Sequence, residues 1–339
     1  MPEQLAAAFA AAGQITAGSP FAAPTPTRAV VAFAQGTGAL ACEAAAALTA
    51  NELAVPFVMV RGATAPRFVD DHTLAFSVSL PGEGDESSAA AAEAATRGAH
   101  VVTIGAAAEA TAPSDAAHAA RALSCALGAS STPRAELPAV TATVLAVLAE
   151  CDLVPDPASS IAAAAGTLAA RRDAWMAPGA APEVLARRLG RTIPLVYGAE
   201  GPGAVAARWW KAGVNRNAKA PAFAASVPSV HFDELAGWGQ SGDVTRQTMS
   251  LVLLRQPGEP ASVAAHFAAV REATEEIMAN VFEVDASGAD DLARFFDLAL
   301  LGELVSLHLA GREGVDPGPA PAVEESPGPP VAAGRAASS

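Results

Sequence analysis

A short strand, a glycine-bearing loop and a helix follow one another near the start of the chain, and the same pattern returns in its second half. Ala29 to Ala34 is apolar, Gly36-Thr37-Gly38 follows, and an alanine-rich helical pattern continues to Ala50. The second copy has a strand at 192–197 and a helix at 201–214. Strands that alternate with helices are typical of a parallel, doubly wound α/β sheet. The sequence therefore predicts two duplicated α/β units.

The remaining segments continue this alternation. In the first half we expect strands at 57–60, 74–79 and 100–104, a helix that ends near residue 97, and helices at 115–127, 137–150 and 157–175. In the second half we expect strands at 222–227, 248–254 and 281–285, with helices at 261–280 and 289–309.

These segments group into two domains, a connector and a tail. We expect a first domain with a helical extension over 1–150, a helical connector over 151–190, a second domain over 191–313, and a tail over 314–339. The tail is rich in Pro, Gly, Ala and Ser and has no large apolar residue beyond valine. It cannot bury enough surface to offset its ordering entropy, so we expect it to be disordered.

Charge and composition exclude several classes of function. The net charge is −14, and the only lysines are Lys211 and Lys219. Such a surface repels a phosphate backbone, which argues against a nucleic-acid partner. Apolar stretches such as 139–149 are too short to cross a bilayer, and no Lys or Arg precedes the first apolar run, unlike in a signal peptide. We expect a cytoplasmic protein with no membrane partner.

Three cysteines are present, Cys42, Cys125 and Cys151. They are odd in number and far apart, without a C-x-x-C pair or an adjacent histidine. This spacing indicates neither a disulfide framework nor a zinc site, and small buried hydrophobic side chains are expected.

The segment Arg208 to Trp238, RWWKAGVNRNAKAPAFAASVPSVHFDELAGW, carries the most specific pattern in the chain. It resembles the C-terminal domain of the bifunctional phosphoglucose/phosphomannose isomerases, whose pattern is approximately N-E-N-A-K-x-P-A-x-x-x-x-x-P-x-x-N-H-N-E-I-x-G-W. The residues that match without a gap are Asn215, Asn217, Ala218, Lys219, Pro221, Ala222, Pro228, Glu234, Gly237 and Trp238.

Other segments extend the resemblance over most of the chain. Leu251 to Arg255 with Pro257, and Gly314 to Pro317, are similar to a strand with its R-x-P turn and to a terminal G-V-D-P motif of that family. The first half is less similar: Gly36-Thr37-Gly38 stands where the family has G-x-G-G-S, and Ser79 to Ser87 stands where it has S-Y-S-G-N-T-E-E-T.

The resemblance implies two flavodoxin-like SIS domains and a homodimer that takes a hexose phosphate or a related sugar derivative. It implies aldose to ketose isomerisation through a cis-enediol, in which a glutamate moves the proton, a histidine opens the ring, and hydroxyls and loop amides hold the phosphate. It implies no metal and no cofactor.

Arg216 stands where this family has its glutamate. A guanidinium stays protonated at every relevant pH, so Arg216 cannot act as the base. Two roles remain open for it, a clamp on an anion such as a phosphate or sugar carboxylate, and a structural salt bridge to nearby acids.

His231 and Glu234 are the other candidates for catalytic groups. The ungapped register places Phe232 where the family has histidine, and His231 one residue earlier. Neighbouring residues project in different directions, so His231 reaches the family's position only if a bulge intervenes.

The candidate phosphate ligands are Gly36, Thr37, Gly38, Ser79, Gly82, Ser87 and Lys219. Pro81 and Gly84 replace hydroxyl residues of the family's loop, Pro81 also removes a backbone donor, and Glu83 opposes a dianion. The alternative for the Gly36 loop is a turn needed for backbone reasons alone, and the alternative for Ser87 is a helix cap. We expect 36–38, 79–87 and 215–234 to converge on one cleft at the carboxyl ends of the strands.

Three functions follow from these residues. The first is an isomerase-family protein that retains some activity through relocated groups, and the second is a non-catalytic homologue that binds a sugar phosphate or a partner protein. The third, a SIS transcriptional regulator, is disfavoured by the acidic surface and by the lack of a helix-turn-helix pattern before the first strand.

Overall fold

Two parallel β-sheets organise the chain, in a computed structural model that describes residues 1–81, 86–105, 120–127 and 133–318. The first sheet has five strands in the order β2-β1-β3-β4-β5, and the second has four in the order β7-β6-β8-β9. All the strand pairs described in both sheets are parallel. The predicted α/β fold class with doubly wound, flavodoxin-like sheets is confirmed.

The first half begins with a helix and then alternates strands with helices. Its elements are α1 (Pro2–Ala17), β1 (Ala29–Phe33), α2 (Gly36–Leu48), β2 (Phe57–Val60), β3 (Thr73–Ser79), α3 (Glu86–Thr96), β4 (His100–Gly105), β5 (Ala122–Ala126) and α4 (Leu137–Glu150).

Two helices then lead into the second half: α5 (Ala158–Trp175) and α6 (Ala181–Leu189). The second half contains β6 (Ile193–Ala199), α7 (Pro202–Asn217), β7 (Phe223–Val227), α8 (Val230–Asp233), α9 (Leu235–Trp238), α10 (Gly242–Thr248), β8 (Met249–Arg255), α11 (Ala261–Thr274), β9 (Asn280–Asp285) and α12 (Asp291–Glu313).

Each sheet buries both faces, as its continuous apolar strands require. In β1 the side chains of Val31 and Phe33 belong to a cluster with α3, whereas Val30 and Ala32 face the opposite side. That opposite side joins a single large apolar cluster that also contains residues of β6, β8 and the helices between the sheets. The two halves therefore share one core.

Helices α7 and α12 pack closely inside this core. The indole nitrogens of Trp209 and Trp210 on α7 donate to the carbonyl oxygens of Ala299 and Leu298 on α12, at 3.2 Å and 2.8 Å. A Cβ at Gly302 would lie 2.4 Å from Cδ1 of Trp210, so only glycine allows this approach.

A buried ion pair ties α5 to α12. The carboxylate of Asp297 accepts hydrogen bonds from Nε and Nη2 of Arg171, at 2.8 Å and 3.2 Å, and from the backbone N–H of Ser287 at 2.8 Å. The side chain of Asp297 is 2% exposed and that of Arg171 is 35% exposed. Arg171 also lies 4.5 Å above the ring of Trp175.

The structure corrects some of the predicted elements. Residues 122–126, placed in a predicted helix, form the edge strand β5, which buries Leu123 and Cys125 and pairs with β4. Helix α11 ends at Thr274 instead of 280, and the short helices α8 to α10 were not predicted.

The domain boundaries at 150, 190 and 313 stay predictions. The part of the predicted tail after Gly318 lies outside the described residues. Over the ranges that are described, no helix is both long and apolar enough to cross a membrane.

Candidate functional site

The candidate phosphate loop lies where the strand order of the first sheet changes direction. β1 pairs with β2 on one side and with β3 on the other, so the carboxyl ends of β1 and β3 mark the position at which a sheet of this topology forms a crevice. Gly36, at φ +43°, turns the chain from β1 directly into α2, and the φ value explains why glycine is needed there. Thr37 and Gly38 form the first turn of that helix. Ligands bind in such crevices in open α/β sheets.

The serines beside this crevice have different surroundings. Ser79 is the last residue of β3 and pairs with Gly105 of β4. Ser87 lies inside the first turn of α3, is buried, and donates its hydroxyl hydrogen to the carbonyl oxygen of Val78 at 3.2 Å. This bond fastens α3 to β3. Gly82 lies outside the described residues.

Arg216 reaches from the end of α7 across to the first half. Its Nη1 donates to the hydroxyl oxygen of Thr37 at 2.7 Å, and its Nε donates to the carbonyl oxygen of Ala212 at 3.2 Å. The guanidinium carbon lies 4.9 Å from the ring centroid of Trp209, which is 1% exposed. The cation is therefore held over the first turn of α2, where it covers Thr37 and leaves Gly36 exposed.

Two further arginines lie on the same side of α2. The carboxylate of Glu43, on α2, pairs with Arg61 after β2 and with Arg208 of α7, the latter at 3.0 Å. Gln35, the residue before α2, donates its side-chain amide to the carbonyl oxygen of Arg61. These contacts bind α7 of the second half to α2 of the first, and the Glu43 carboxylate pairs with both guanidinium groups.

Lys219 follows Arg216 closely and adopts φ +52°. Its Nζ donates to the carbonyl oxygen of Arg216 at 2.5 Å and to that of Gly318 at 2.8 Å. Lys219 thus connects the candidate site to the last described residue of the chain.

The two asparagines of the motif have structural contacts. Asn217 donates from Nδ2 to Oε1 of Glu303 at 3.0 Å and to the hydroxyl oxygen of Ser306 at 2.8 Å, both on α12. Asn215 donates to the carbonyl oxygen of Ala220 at 3.0 Å. These bonds fix the path of the chain between α7 and β7.

His231 and Glu234 lie after the other end of β7. A ring nitrogen of His231, Nε2, is 3.2 Å from the carbonyl oxygen of His266, and the two histidine rings meet edge to face at 4.7 Å between centroids. Glu234 accepts a hydrogen bond from the hydroxyl of Tyr197 on β6. His231 therefore holds α8 against α11, and Glu234 holds the start of α9 against β6 of the second sheet.

The single cleft predicted from the sequence is only partly formed. The loop 36–38, the end of β3 and the segment 215–219 come together, but 231–234 does not join them. The backbone N–H of Glu200, at the start of α7, donates to the carbonyl oxygen of Val227 at the end of β7. Arg216 lies near the far end of α7, about 20 Å along the helix axis. His231 therefore does not reach Arg216 within one chain.

The geometry limits the chemistry at the crevice. A guanidinium can donate hydrogen bonds and stabilise negative charge but cannot accept a proton. Among the residues that the structure describes, no group of three or more His, Cys, Asp and Glu side chains could hold a metal ion. The described groups are the first turn of α2, the hydroxyl of Thr37 and the guanidinium of Arg216, and together they suit an anion.

Three participants were missed by the sequence analysis: Trp209, which stacks on Arg216, and the Glu43–Arg208 pair. A cation and an aromatic ring seven residues apart on one helix gave a weak signal for the stacking. The Glu43–Arg208 pair gave none, because its members are 165 residues apart and meet only when α7 packs on α2.

Known proteins resemble this chain in sequence. Residues 180–326 match the family model described as the bacterial phosphoglucose isomerase C-terminal SIS domain. A bifunctional phosphoglucose/phosphomannose isomerase of Caldicellulosiruptor bescii is 24% identical over 271 residues, which cover 78% of each chain. The enzyme of the same name from Aquifex aeolicus is 29% identical over 140 residues, 41% of this chain and 43% of that one.

Solved structures share the fold. The C-terminal domain of glucosamine-fructose-6-phosphate aminotransferase from Francisella tularensis superposes with a TM-score of 0.63 at 15% identity, over 93% of this chain and 95% of that one. A glucose-6-phosphate isomerase like protein from Thermus thermophilus gives 0.58 at 20% identity, over 88% and 86%. In its second half the chain thus matches the C-terminal SIS domain of the bacterial phosphoglucose isomerases, and over most of its length it is similar to a bifunctional phosphoglucose/phosphomannose isomerase.

Proposed function

We propose that this protein binds a hexose 6-phosphate at the crevice of its first sheet and does not isomerise it at ordinary enzymatic rates. The observation that carries the proposal is the 2.7 Å hydrogen bond from Nη1 of Arg216 to the hydroxyl of Thr37. It places a permanent cation at the first turn of α2, next to the exposed Gly36. A phosphate there gains from the guanidinium, the helix dipole and the turn amides together.

The same residue argues against turnover. Arg216 stands where the resembled isomerases have the glutamate that moves the proton, and a general base of this kind contributes about 10² to 10⁴ in rate. Neither His231 nor Glu234 replaces it within one chain, because His231 contacts α11 and Glu234 bonds β6, both away from Arg216. This supports the non-catalytic alternative over an isomerase with relocated groups.

Two measurements on the purified protein test the proposal. Calorimetric titration with glucose, mannose and fructose 6-phosphates should show binding of at least one of them, and NMR should show no interconversion of the three above the background rate. Turnover at ordinary isomerase rates, abolished by His231→Ala, would overturn the non-catalytic assignment. Failure of all three sugars to bind would overturn the ligand assignment.

A homodimer is part of the proposal. Phe223 at the start of β7 is 53% exposed and Phe232 on α8 is 84% exposed, although both are large apolar side chains. Exposed aromatic residues on one segment favour an interface. Light scattering should give the mass of two chains, and Phe223→Ser with Phe232→Ser should give the mass of one. A cytoplasmic location stays a prediction.

A further inference from the structure

The second sheet ends in an open edge at a position that the first sheet fills. In the first sheet β4 pairs with β3 on one side and with β5 on the other. β9 has the equivalent place in the second sheet, where it pairs with β8, and no other strand of the described residues lies against it. Such an edge carries backbone N–H and C=O groups with which a further strand can pair.

The register shows which backbone groups face outwards. The N–H of Ala286, just after β9, donates to the carbonyl oxygen of Arg255 on β8 at 2.9 Å. Alternate residues of a parallel strand bond to opposite neighbours, so the N–H and C=O of Asp285 point away from β8. The same alternation turns the backbone groups of Val281 and Glu283 towards the open side.

A groove with an apolar lining runs along this edge. It lies between β9 and the helices α5, α6 and α12, and its volume is about 410 Å³. Its apolar side chains include those of Trp175, Val184, Leu185, Phe282 and Leu301. A peptide that adds a strand to a sheet edge uses both features, because its backbone pairs with the edge and its alternate side chains enter pockets beside it.

Arg188 gives the groove a positive charge. Its guanidinium carbon lies 4.6 Å from the ring centroid of Phe282, and its side chain is exposed. It makes no hydrogen bond or ion pair with the part of the chain that the structure describes. Arg171, the other arginine of the groove, is held by the carboxylate of Asp297. A carboxylate on an occupant of the groove would therefore pair with Arg188.

We propose that the open edge of β9 binds an extended segment of a partner protein, whose apolar side chains enter the groove and whose single carboxylate pairs with Arg188. The first sheet carries the same arrangement within one chain, since β5 lies parallel to β4 and buries its alternate residues Leu123 and Cys125. The second sheet leaves that position to another chain. The exposed Glu283 and Asp285 disfavour a segment with further acidic residues.

A synthetic hexapeptide with capped ends is the probe. It alternates threonine with valine and carries glutamate in place of the first valine, so that glutamate and valine share one face of the strand. Fluorescence anisotropy of the labelled peptide with the full chain should show saturable binding. Absence of binding would overturn the proposal, whether or not the crevice binds a sugar phosphate.

Two neighbouring arginines of α6 provide matched variants. Arg187 and Arg188 are both exposed, and Arg187 does not line the groove. Arg188→Gln should raise the Kd of the peptide about two- to fivefold, the effect of one exposed ion pair, while Arg187→Gln should leave it unchanged. Replacement of the peptide's glutamate by glutamine should remove this difference. Equal Kd values of the two variants for the glutamate peptide would overturn the pairing.

N-methylation of the probe tests the backbone pairing without any change to the protein. Methyl groups on one alternate set of peptide nitrogens should abolish binding, because those N–H groups face β9, and methyl groups on the other set should not. Equal effects of the two sets would overturn strand addition. Light scattering decides whether a second copy of this chain is the occupant: a lower mass of Arg188→Gln than of the wild type would overturn the choice of a partner protein, and an equal mass supports it.

Discussion

The hydroxyl of Tyr197, on a buried strand of the second sheet, donates a hydrogen bond to the carboxylate of Glu234. Tyr197 is 1% exposed and is the only tyrosine in the chain. Burial, followed by the hydrogen bond and the charge of Glu234, raises the pKa of Tyr197 well above its ordinary value of 10.0. Glu234, which aligns with the motif of the resembled isomerases, thus anchors the start of α9 to the second sheet.

We expect this pKa shift to make the protein less stable in alkali. In the folded state Tyr197 keeps its proton above pH 10, whereas in the unfolded chain it ionises near 10, so the free energy of unfolding falls as pH rises past that value. The slope from one such group is at most about 1.4 kcal/mol per pH unit.

Urea unfolding of the wild type and of Tyr197→Phe at several pH values isolates the effect, since other groups that titrate in alkali are common to both. Above pH 10 the free energy of unfolding of the wild type should fall relative to that of Tyr197→Phe. The tyrosinate absorbance of the wild type should appear only as the protein unfolds. Ionisation of Tyr197 in the folded protein near pH 10 would contradict this.

The ion pair between Arg171 and Asp297 should contribute strongly to stability. Arg171→Met leaves a carboxylate that is 2% exposed without its cation, and breaking such a pair costs about 3 kcal/mol. Arg172→Met is the matched control on the same helix, because the partners Glu3 and Asp173 are 68% and 69% exposed. It should cost less than about 1 kcal/mol. Similar urea midpoints for the two variants would refute the difference.

Removal of the cation at the crevice should weaken ligand binding. A hydrogen bond to a charged group contributes enough that Arg216→Gln should raise the Kd for hexose 6-phosphate by about tenfold to a hundredfold. Arg191→Gln makes the same change in net charge at a residue that pairs with Glu313 on the surface, and should leave the Kd unchanged. Calorimetry on the two variants checks this, and equal losses would show that only net charge matters.

Restoring the glutamate alone should not restore an isomerase. Arg216→Glu supplies a base but removes the cation, and Phe232 and Pro81 still stand where the resembled family has histidine and a hydroxyl residue. The triple change Arg216→Glu, Phe232→His and Pro81→Ser is the constructive test, with NMR detection of hexose 6-phosphate interconversion. Isomerisation at ordinary rates by Arg216→Glu alone would show that Arg216 is the single residue that prevents catalysis.

Most strands were predictable because each is a short apolar run bounded by turn residues. The strand Phe57–Val60 and the helix Leu137–Glu150 have the bounds expected from the sequence. Ala122–Ala126 was wrongly assigned to a helix, because alanine favours helix locally and hides the alternation of Leu123 and Cys125. Pairing with β4 decided its conformation, and no local pattern reports such pairing.

The candidate site was predictable only in part. The motif from Asn215 to Glu234 is continuous in sequence, which suggested one location, but it contains all of β7, so its two ends lie apart in space. The contact of Arg216 with Thr37 joins residues 179 positions apart. The motif showed that an arginine stands at the position of the family's glutamate, whereas the contact of that arginine with Thr37 depends on how α7 packs against α2.

The shared apolar core has a consequence for how such a protein can change over time. A chain built from two similar sheets would ordinarily tolerate the exchange of one half by recombination near residue 190. Here one apolar cluster contains residues of α2, α5, α7 and α12. The side chains of a replacement half would therefore not fit the helices against which they have to pack. The two sheets have the same strand order over four strands, but a substitution in one half now affects the packing of the other.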